Sequence, residues 1–208
     1  MTIWFATGNA HKRAELAAIL PGHTIRIPAD EGAAFDPEET GTSFAENALI
    51  KARELRRLTT ASGNGTYPHS SAAPVIADDS GLCVDALDGR PGIYSARYGS
   101  ESGNNTKLSD PNRNLLLLKE LGDNPLRSAR FVCAMVLLFS EDRFFLVQET
   151  LEGEIIREGR GSGGFGYDPI LYLPEFGCTV AELPDKEKNH ISHRGKAGRA
   201  IAKFLDGQ

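Results

Sequence analysis

The chain has 208 residues, about two-fifths of them hydrophobic and a quarter charged, with a formal net charge of -5. That length suits one large domain or two closely packed lobes able to bury roughly 70% of the unfolded surface, so chain-wide disorder is excluded. The negative charge excludes broad, nonspecific nucleic-acid binding, which needs a basic face, but leaves room for a small anionic ligand held by a local cluster of Lys and Arg. Cys83, Cys133 and Cys178 show no CxxC spacing and leave an odd thiol, so a reduced, cytoplasmic setting is expected. The start, MTIWFATGNAHKR, has no basic leader before an apolar core, and no later stretch reaches membrane-spanning length. Neither secretion nor a membrane partner is expected.

In chain order, residues 2 to 6 read as a short buried strand handing over through TGN to a helix. Its apolar positions are Ala14, Leu16, Ile19 and Leu20, and Pro21 and Gly22 end it. A second helix is predicted from Ser43 to about Leu58, with Phe44, Ala48, Ala52 and Leu55 at helical spacing and Ser43 and Glu46 as a possible capping box. Residues 59 to 74 are small, polar and turn-forming, and read as a mobile surface loop. Val75 to Ala77 form a short apolar strand running into two aspartates. A helix over Asn112 to Leu121 follows, then the apolar run at 131 to 139, which reads as a central strand. The SEDR turn joins it to FFLVQETLEGEII as a long antiparallel hairpin. A Gly-rich loop at 159 to 166 precedes Tyr167 to Leu173, and a last amphipathic helix covers Gly195 to Leu205. Helix-flanked strands together with a long hairpin predict an α/β fold on a mixed sheet, not an all-parallel one, with no internal repeat and no linker that divides the chain.

Five segments concentrate residues suited to chemistry. In TGNAHK, Thr7 to Lys12, a helix N-terminus offers backbone N–H groups and a positive dipole end to an anion, with Lys12 adding a full charge. A plain Asn9 cap competes with that reading. In SFAENALIKA, Asn47 and Lys51 share a helix face, and Glu46 either offers a hard oxygen to a metal or completes the capping box. In VIADDSGL, adjacent carboxylates repel and are poor strand formers, so their placement suggests a use; strand alternation turns Asp78 and Asp79 in different directions. A simple Asx turn is the competing explanation. At GSGGFGYDPI, the letters GRGSGG that lead into it, Gly159 to Gly164, match GxGxxG, but Pro169 and the aromatics oppose the helix a dinucleotide fingerprint must open. A loop presenting Phe165 for stacking and Asp168 for hydrogen bonding fits better. In DKEKNHISHRGKA, six basic or imidazole residues crowd one stretch, read either as an anion or base contact or as a solvated loop; His190 and His193 alone make a weak metal site.

Taken together and in order, TGNAHK, SFAENALIKA, ADDSGL followed by GRPGIYSARY, GFGYDPI and SHRGKA resemble the inosine triphosphate pyrophosphatase family, also called Ham1-like. The match spans almost the whole chain. The resemblance implies one domain over 1–208 with two lobes, an elongated mixed sheet flanked by helices, a central substrate cleft and a homodimer. It implies hydrolysis of the noncanonical nucleotides ITP, dITP and XTP to the monophosphate and pyrophosphate, assisted by Mg2+. By position, Asp79 matches the catalytic base and a metal ligand, Glu46 the second metal ligand, and Ser80 a substrate contact. Thr7, Gly8, Asn9, Ala10, His11, Lys12 and Lys51 match residues that hold the triphosphate. Phe165, Gly166, Tyr167, Asp168, Lys188, His193 and Arg194 match those around the purine. The loop at 59 to 74 is longer than the family's usual one.

Cleavage between the α and β phosphates needs a positioned water, charge neutralisation and a stabilised leaving group, tasks these residue types can share. A 6-keto purine accepts hydrogen bonds where adenine donates, so donors such as Lys188 and Arg194 suit inosine and reject adenine. Two alternatives stand at this level: a Maf-like pyrophosphatase acting on other modified nucleotides, and a nucleotide-sensing module without turnover.

Overall fold

The computed structural model describes residues 1–60, 73–100 and 108–207. The architecture is α/β. Among the described residues, seven strands are β1 (Thr2–Phe5), β2 (Thr24–Arg26), β3 (Val75–Val84), β4 (Ser128–Ser140), β5 (Arg143–Ile155), β6 (Leu171–Leu173) and β7 (Cys178–Thr179), in the sheet order β2-β1-β3-β4-β5-β6-β7. The described residues also form five α-helices, α1 (Ala10–Ile19), α2 (Phe44–Thr60), α3 (Asp110–Leu121), α4 (Asp185–Ile191) and α5 (His193–Asp206). β1 pairs in parallel with β2 and β3, whereas β6 pairs antiparallel with β5 and β7, so the sheet is mixed as the sequence pattern predicts. β4 and β5 are neighbours joined by a two-residue turn, a connection that only antiparallel strands allow.

The chain forms two compact units. One comprises Met1–Asp79, Cys133–Glu149 and Arg194–Gln208; the other comprises Ser80–Val132 and Thr150–His193. In the first, Leu16 and Leu20 of the α1 segment and Ala197, Ile201 and Leu205 of α5 pack on Ile3, Phe5, Ile76, Cys133, Met135 and Leu137. β4 is buried without a break from Phe131 to Leu138, which is why its sequence is continuously apolar instead of alternating. Gly198 lets α5 approach α1 closely: a Cβ there would lie 3.0 Å from the Ile19 Cγ2. In the second unit, Leu117 and Leu121 of α3 pack with Leu82, Val84, Phe131, Leu151, Ile155 and Tyr167.

Three elements differ from the sequence expectation. The strand predicted to stop at Ala77 continues to Val84, so Asp78 and Asp79 lie inside β3 and not at its end. Ion pairing to both aspartates, described below, offsets the poor strand propensity that argued for an early stop. The basic stretch read as a loop is helical from Asp185 to Ile191 and again from His193. α2 extends through Thr60, because Thr59 is buried and its hydroxyl and that of Thr60 bond back to the Arg56 carbonyl. Most of the loop expected at 59 to 74 lies outside the described residues. No helix among the described residues is long and apolar enough to cross a membrane.

The Leu16 side chain is fully buried beneath α1. Leu16→Ala is expected to lower the unfolding free energy by about 3 kcal/mol, combining lost transfer energy with a residual cavity, and denaturant titration measures it.

Candidate functional site

The two aspartates diverge because successive residues of a strand face opposite ways. The Asp78 side chain has no solvent exposure. It meets Lys12 Nζ at 3.1 Å and the Nε and Nη2 of Arg194 at 3.2 and 3.1 Å. Arg194 is itself buried, and its Nη1 donates to Glu15 at 2.5 Å. Burial alone would raise the Asp78 carboxyl, but the charges of Lys12, Arg194 and Lys51 overcome it and hold the group well below the usual carboxylate range. The same surroundings act in reverse on the Cys133 thiol, 4.0 Å away, which burial and the Asp78 charge push up to about 12. Cys133 is therefore an inert core group.

Asp79 faces a second set of partners in the same unit. Lys51 Nζ donates to its Oδ1 at 3.0 Å and Asn47 Nδ2 to its Oδ2 at 3.3 Å. Asn47 and Lys51 sit one helical turn apart on the buried face of α2, so the spacing read from sequence brings both to one carboxylate. Lys51 Nζ also donates to Glu39 at 2.8 Å. Two carboxylates thus share one ammonium. Burial, reinforced by the Glu39 charge, raises Asp79 above the ordinary value despite the pull of Lys51. Burial tends to lower Lys51, but Asp79, Asp78 and Glu39 together raise it, so it remains charged.

The α1 entry and the start of α2 are held by caps. Asn9 Oδ1 accepts from the backbone N–H groups of His11 and Lys12 at 2.9 and 3.2 Å, and Thr7 Oγ1 accepts from Asn9 N at 3.0 Å. The cap reading of Asn9 therefore describes the geometry, and it uses two N–H groups that the sequence left open to an anion. Thr7 is buried, Gly8, Ala10 and His11 are exposed, and Lys12 is directed at Asp78. Glu46 Oε2 accepts from the backbone N–H and hydroxyl of Thr42 at 2.6 and 2.8 Å, and Glu46 N donates to Ser43 Oγ at 3.2 Å. Those Thr42 bonds lower the Glu46 pKa. The Glu46 carboxylate closes a cap, and the carboxylate that joins Asp79 at Lys51 is Glu39. Sequence reasoning missed Glu39 because nothing in PEET announces a partner 12 residues away.

The second unit holds the other candidate residues. Lys188 Nζ and the backbone N–H of Phe165 both donate to Asp168 Oδ2 at 2.9 Å, and the Lys188 ammonium lies 5.0 Å from the Phe165 ring centre. Lys188, Asp168 and Tyr167 are buried, whereas Phe165, Gly166 and Ser80 are partly exposed. Gly164 adopts φ +71°, and a Cβ there would fall 2.0 Å from Asp168 Oδ2, so only glycine lets the loop pass this carboxylate. The His193 ring stacks on Phe131 with centroids 4.9 Å apart. Arg194, grouped from sequence with the purine contacts, has its guanidinium turned to Asp78 and Glu15.

Residues 3–204 match the model of the Ham1 family. The chain belongs to the Ham1 family. It is similar to the "dITP/XTP pyrophosphatase" of Treponema denticola, at 51% identity over all of both chains. It is also similar to the protein of the same name from Shigella flexneri, at 46% identity over 96% of this chain and 95% of that one. Among solved structures, the Ham1 protein from Coxiella burnetii superposes with a TM-score of 0.84 at 37% identity, covering all of both chains. The Staphylococcus aureus Ham1 protein gives 0.82 at 37% identity, covering 100% of this chain and 99% of that one.

Two predictions follow from the charge of Asp78 inside this Ham1 fold. Arg194→Leu leaves a buried carboxylate short of a partner and is expected to cost about 3–5 kcal/mol. The double variant with Asp78→Asn should lose less than the sum of the singles, as read from urea midpoints. Because the folded-state carboxyl is depressed, its stabilisation is present above the unfolded value of about 3.9 and lost as pH falls below it. Asp78→Asn should therefore flatten the decline of stability between about pH 5 and 2.

Proposed function

We propose that this chain hydrolyses the noncanonical purine triphosphates ITP, dITP and XTP to the nucleoside monophosphate and pyrophosphate. The observation that carries this reading is the convergence of Lys12 on Asp78 and of Lys51 on Asp79, which brings three sequence motifs together at adjacent residues of β3. The names of the relatives support the same substrate class.

Asp79 is the group assigned to the attacking water. A carboxyl raised by burial is a stronger base than an exposed one, and Asn47 and Lys51 fix both its oxygens, so it can hold a water and accept its proton. Lys12 and Lys51 are the cations assigned to the triphosphate. Each rests on an aspartate in the structure, and a polyphosphate offers it a stronger anion. Phe165 is assigned to stacking on the purine, with Lys188 as a donor to the 6-keto oxygen and Asp168 holding that lysine in place.

The donor set fits magnesium. That ion is bound through one or two carboxylates together with substrate phosphates, and Asp79 and Glu39 supply two hard carboxylates at one ammonium. Glu46, the second ligand implied by the family resemblance, accepts from Thr42, and Glu39 is a further carboxylate on the lysine that Asp79 meets. When bound, magnesium neutralises phosphate charge and stabilises the departing pyrophosphate. A homodimer, as the family resemblance implies, acting on free nucleotides in the reduced cytoplasmic setting that the cysteine usage suggests, completes the reading.

Pyrophosphate release from ITP, XTP, dITP, GTP, ATP and dUTP, each with and without magnesium, tests the proposal. Release confined to the first three and dependent on the metal is the expected result; a dUTP preference points to the Maf-like alternative, and no release from any nucleotide to a sensor. Asp79→Asn should lower kcat by at least about 10²-fold with thermal unfolding little changed. Near-normal turnover in that variant removes Asp79 from the mechanism.

A further inference from the structure

The loop carrying Phe165 is held by a helix that contributes nothing to the site as described so far. Gly164 and Gly166 adopt φ +71° and +66° on either side of Phe165. Left-handed glycines are flexible in the free chain, so such a loop does not keep one shape by itself. Gly166 is gripped through both of its backbone polar groups. Its N–H donates to Asp110 Oδ2 at 2.5 Å, and its carbonyl accepts from Asn114 Nδ2 at 3.1 Å. Asp110 and Asn114 are four residues apart in the first turns of α3, so one helix face presents both prongs. Asp110 is in turn ion-paired to Arg113, whose Nη1 donates to the carbonyls of Ala96 and Leu108 at 3.0 and 2.9 Å. The next residue of the loop, Tyr167, is buried and donates its hydroxyl to the Ser95 carbonyl at 2.9 Å.

We infer that Asp110 and Asn114 are positioning residues for Phe165 and set how tightly the purine is held. The inference rests on the assignment of Phe165 to purine stacking. Packing alone does not account for Asn114. It is buried, and its Oδ1 has no hydrogen-bond partner among the described residues. A buried carbonyl left unpaired is destabilising, so leucine would serve packing better. What leucine cannot do is bond the Gly166 carbonyl. Fixing Gly166 removes the rotational freedom of the peptide that follows Phe165, and ordering a stacking ring before the ligand arrives lowers the entropic cost of binding.

The test compares the full-length wild type with Asn114→Leu, Phe165→Ala and the double variant, in dITP and XTP hydrolysis and in calorimetric binding of the monophosphate product. Asn114→Leu is expected to raise KM and product Kd about tenfold while kcat changes far less. In the Phe165→Ala background the same substitution should add almost nothing, because its effect runs through that ring. An unchanged KM in Asn114→Leu overturns the inference, and so does an equal rise in both backgrounds, which marks a merely structural role. If Asn114→Leu fails to melt cooperatively, Asp110→Ala, which removes the acceptor for Gly166 N–H, carries the same two expectations, since that side chain is 40% exposed. A raised KM for Phe165→Ala with an unchanged one for Asn114→Leu removes this inference alone. An unchanged KM for Phe165→Ala removes the assignment of Phe165 and the inference with it.

Discussion

A fully buried carboxylate in the middle of a sheet is the constraint around which the first unit is organised. Asp78 cannot remain charged inside β3 unless cations reach it, and the two that do come from opposite ends of the chain: Lys12 in the first turns of α1 and Arg194 at the start of α5. The interaction therefore fastens both helices to the central strand at a defined point. Glu15 on α1 takes the remaining edge of Arg194, so α1 and α5 are also tied directly. An apolar core with α1 and α5 over Ile3, Phe5 and Ile76 supplies the bulk of the burial. The ionic knot fixes the register, since a slip by one residue would send Asp78 to the other face and leave a guanidinium buried without its anion.

The neighbouring residue uses the same geometry to the opposite electrostatic end. Asp78 meets two cations and is depressed; Asp79 shares one lysine with Glu39 and is raised. Adjacent identical side chains thus acquire different proton affinities from strand alternation alone, with each face supplying its own partners. This divergence separates a charged anchor from the group that we propose as the base. It also explains why a pair of aspartates, unfavourable in a strand by propensity, persists through the middle of β3.

The second unit solves a different problem, that of holding an irregular loop. Glycines at positive φ are required where the backbone passes Asp168, yet they weaken the loop that carries Phe165. Side chains from α3 and α4 restore definition by bonding backbone atoms: Asp110 and Asn114 at Gly166, and Lys188 through Asp168 to Phe165. Short polar contacts of long sequence separation do here what a regular hydrogen-bond ladder does elsewhere.

By itself the sequence determined the fold class, the central β4 strand with its following hairpin, and the segments that hold the candidate chemistry, because periodicity, turn residues and ordered motifs are local signals. It also placed Asn47 and Lys51 on one face of α2. It did not determine how far β3 runs, because the propensity of two aspartates points to a stop and only the cations around them reverse it. It offered the caps at Asn9 and at Ser43 with Glu46 only as alternatives to anion and metal binding, and it did not reveal that Glu39 is the second carboxylate on Lys51. Those outcomes depend on which charged side chains burial brings within about 3–4 Å of one another. Chain spacing carries no record of that distance: Arg194 reaches Asp78 across 116 residues. Tertiary structure alone decided it, because a buried charge takes the partner that the packed helices bring within reach.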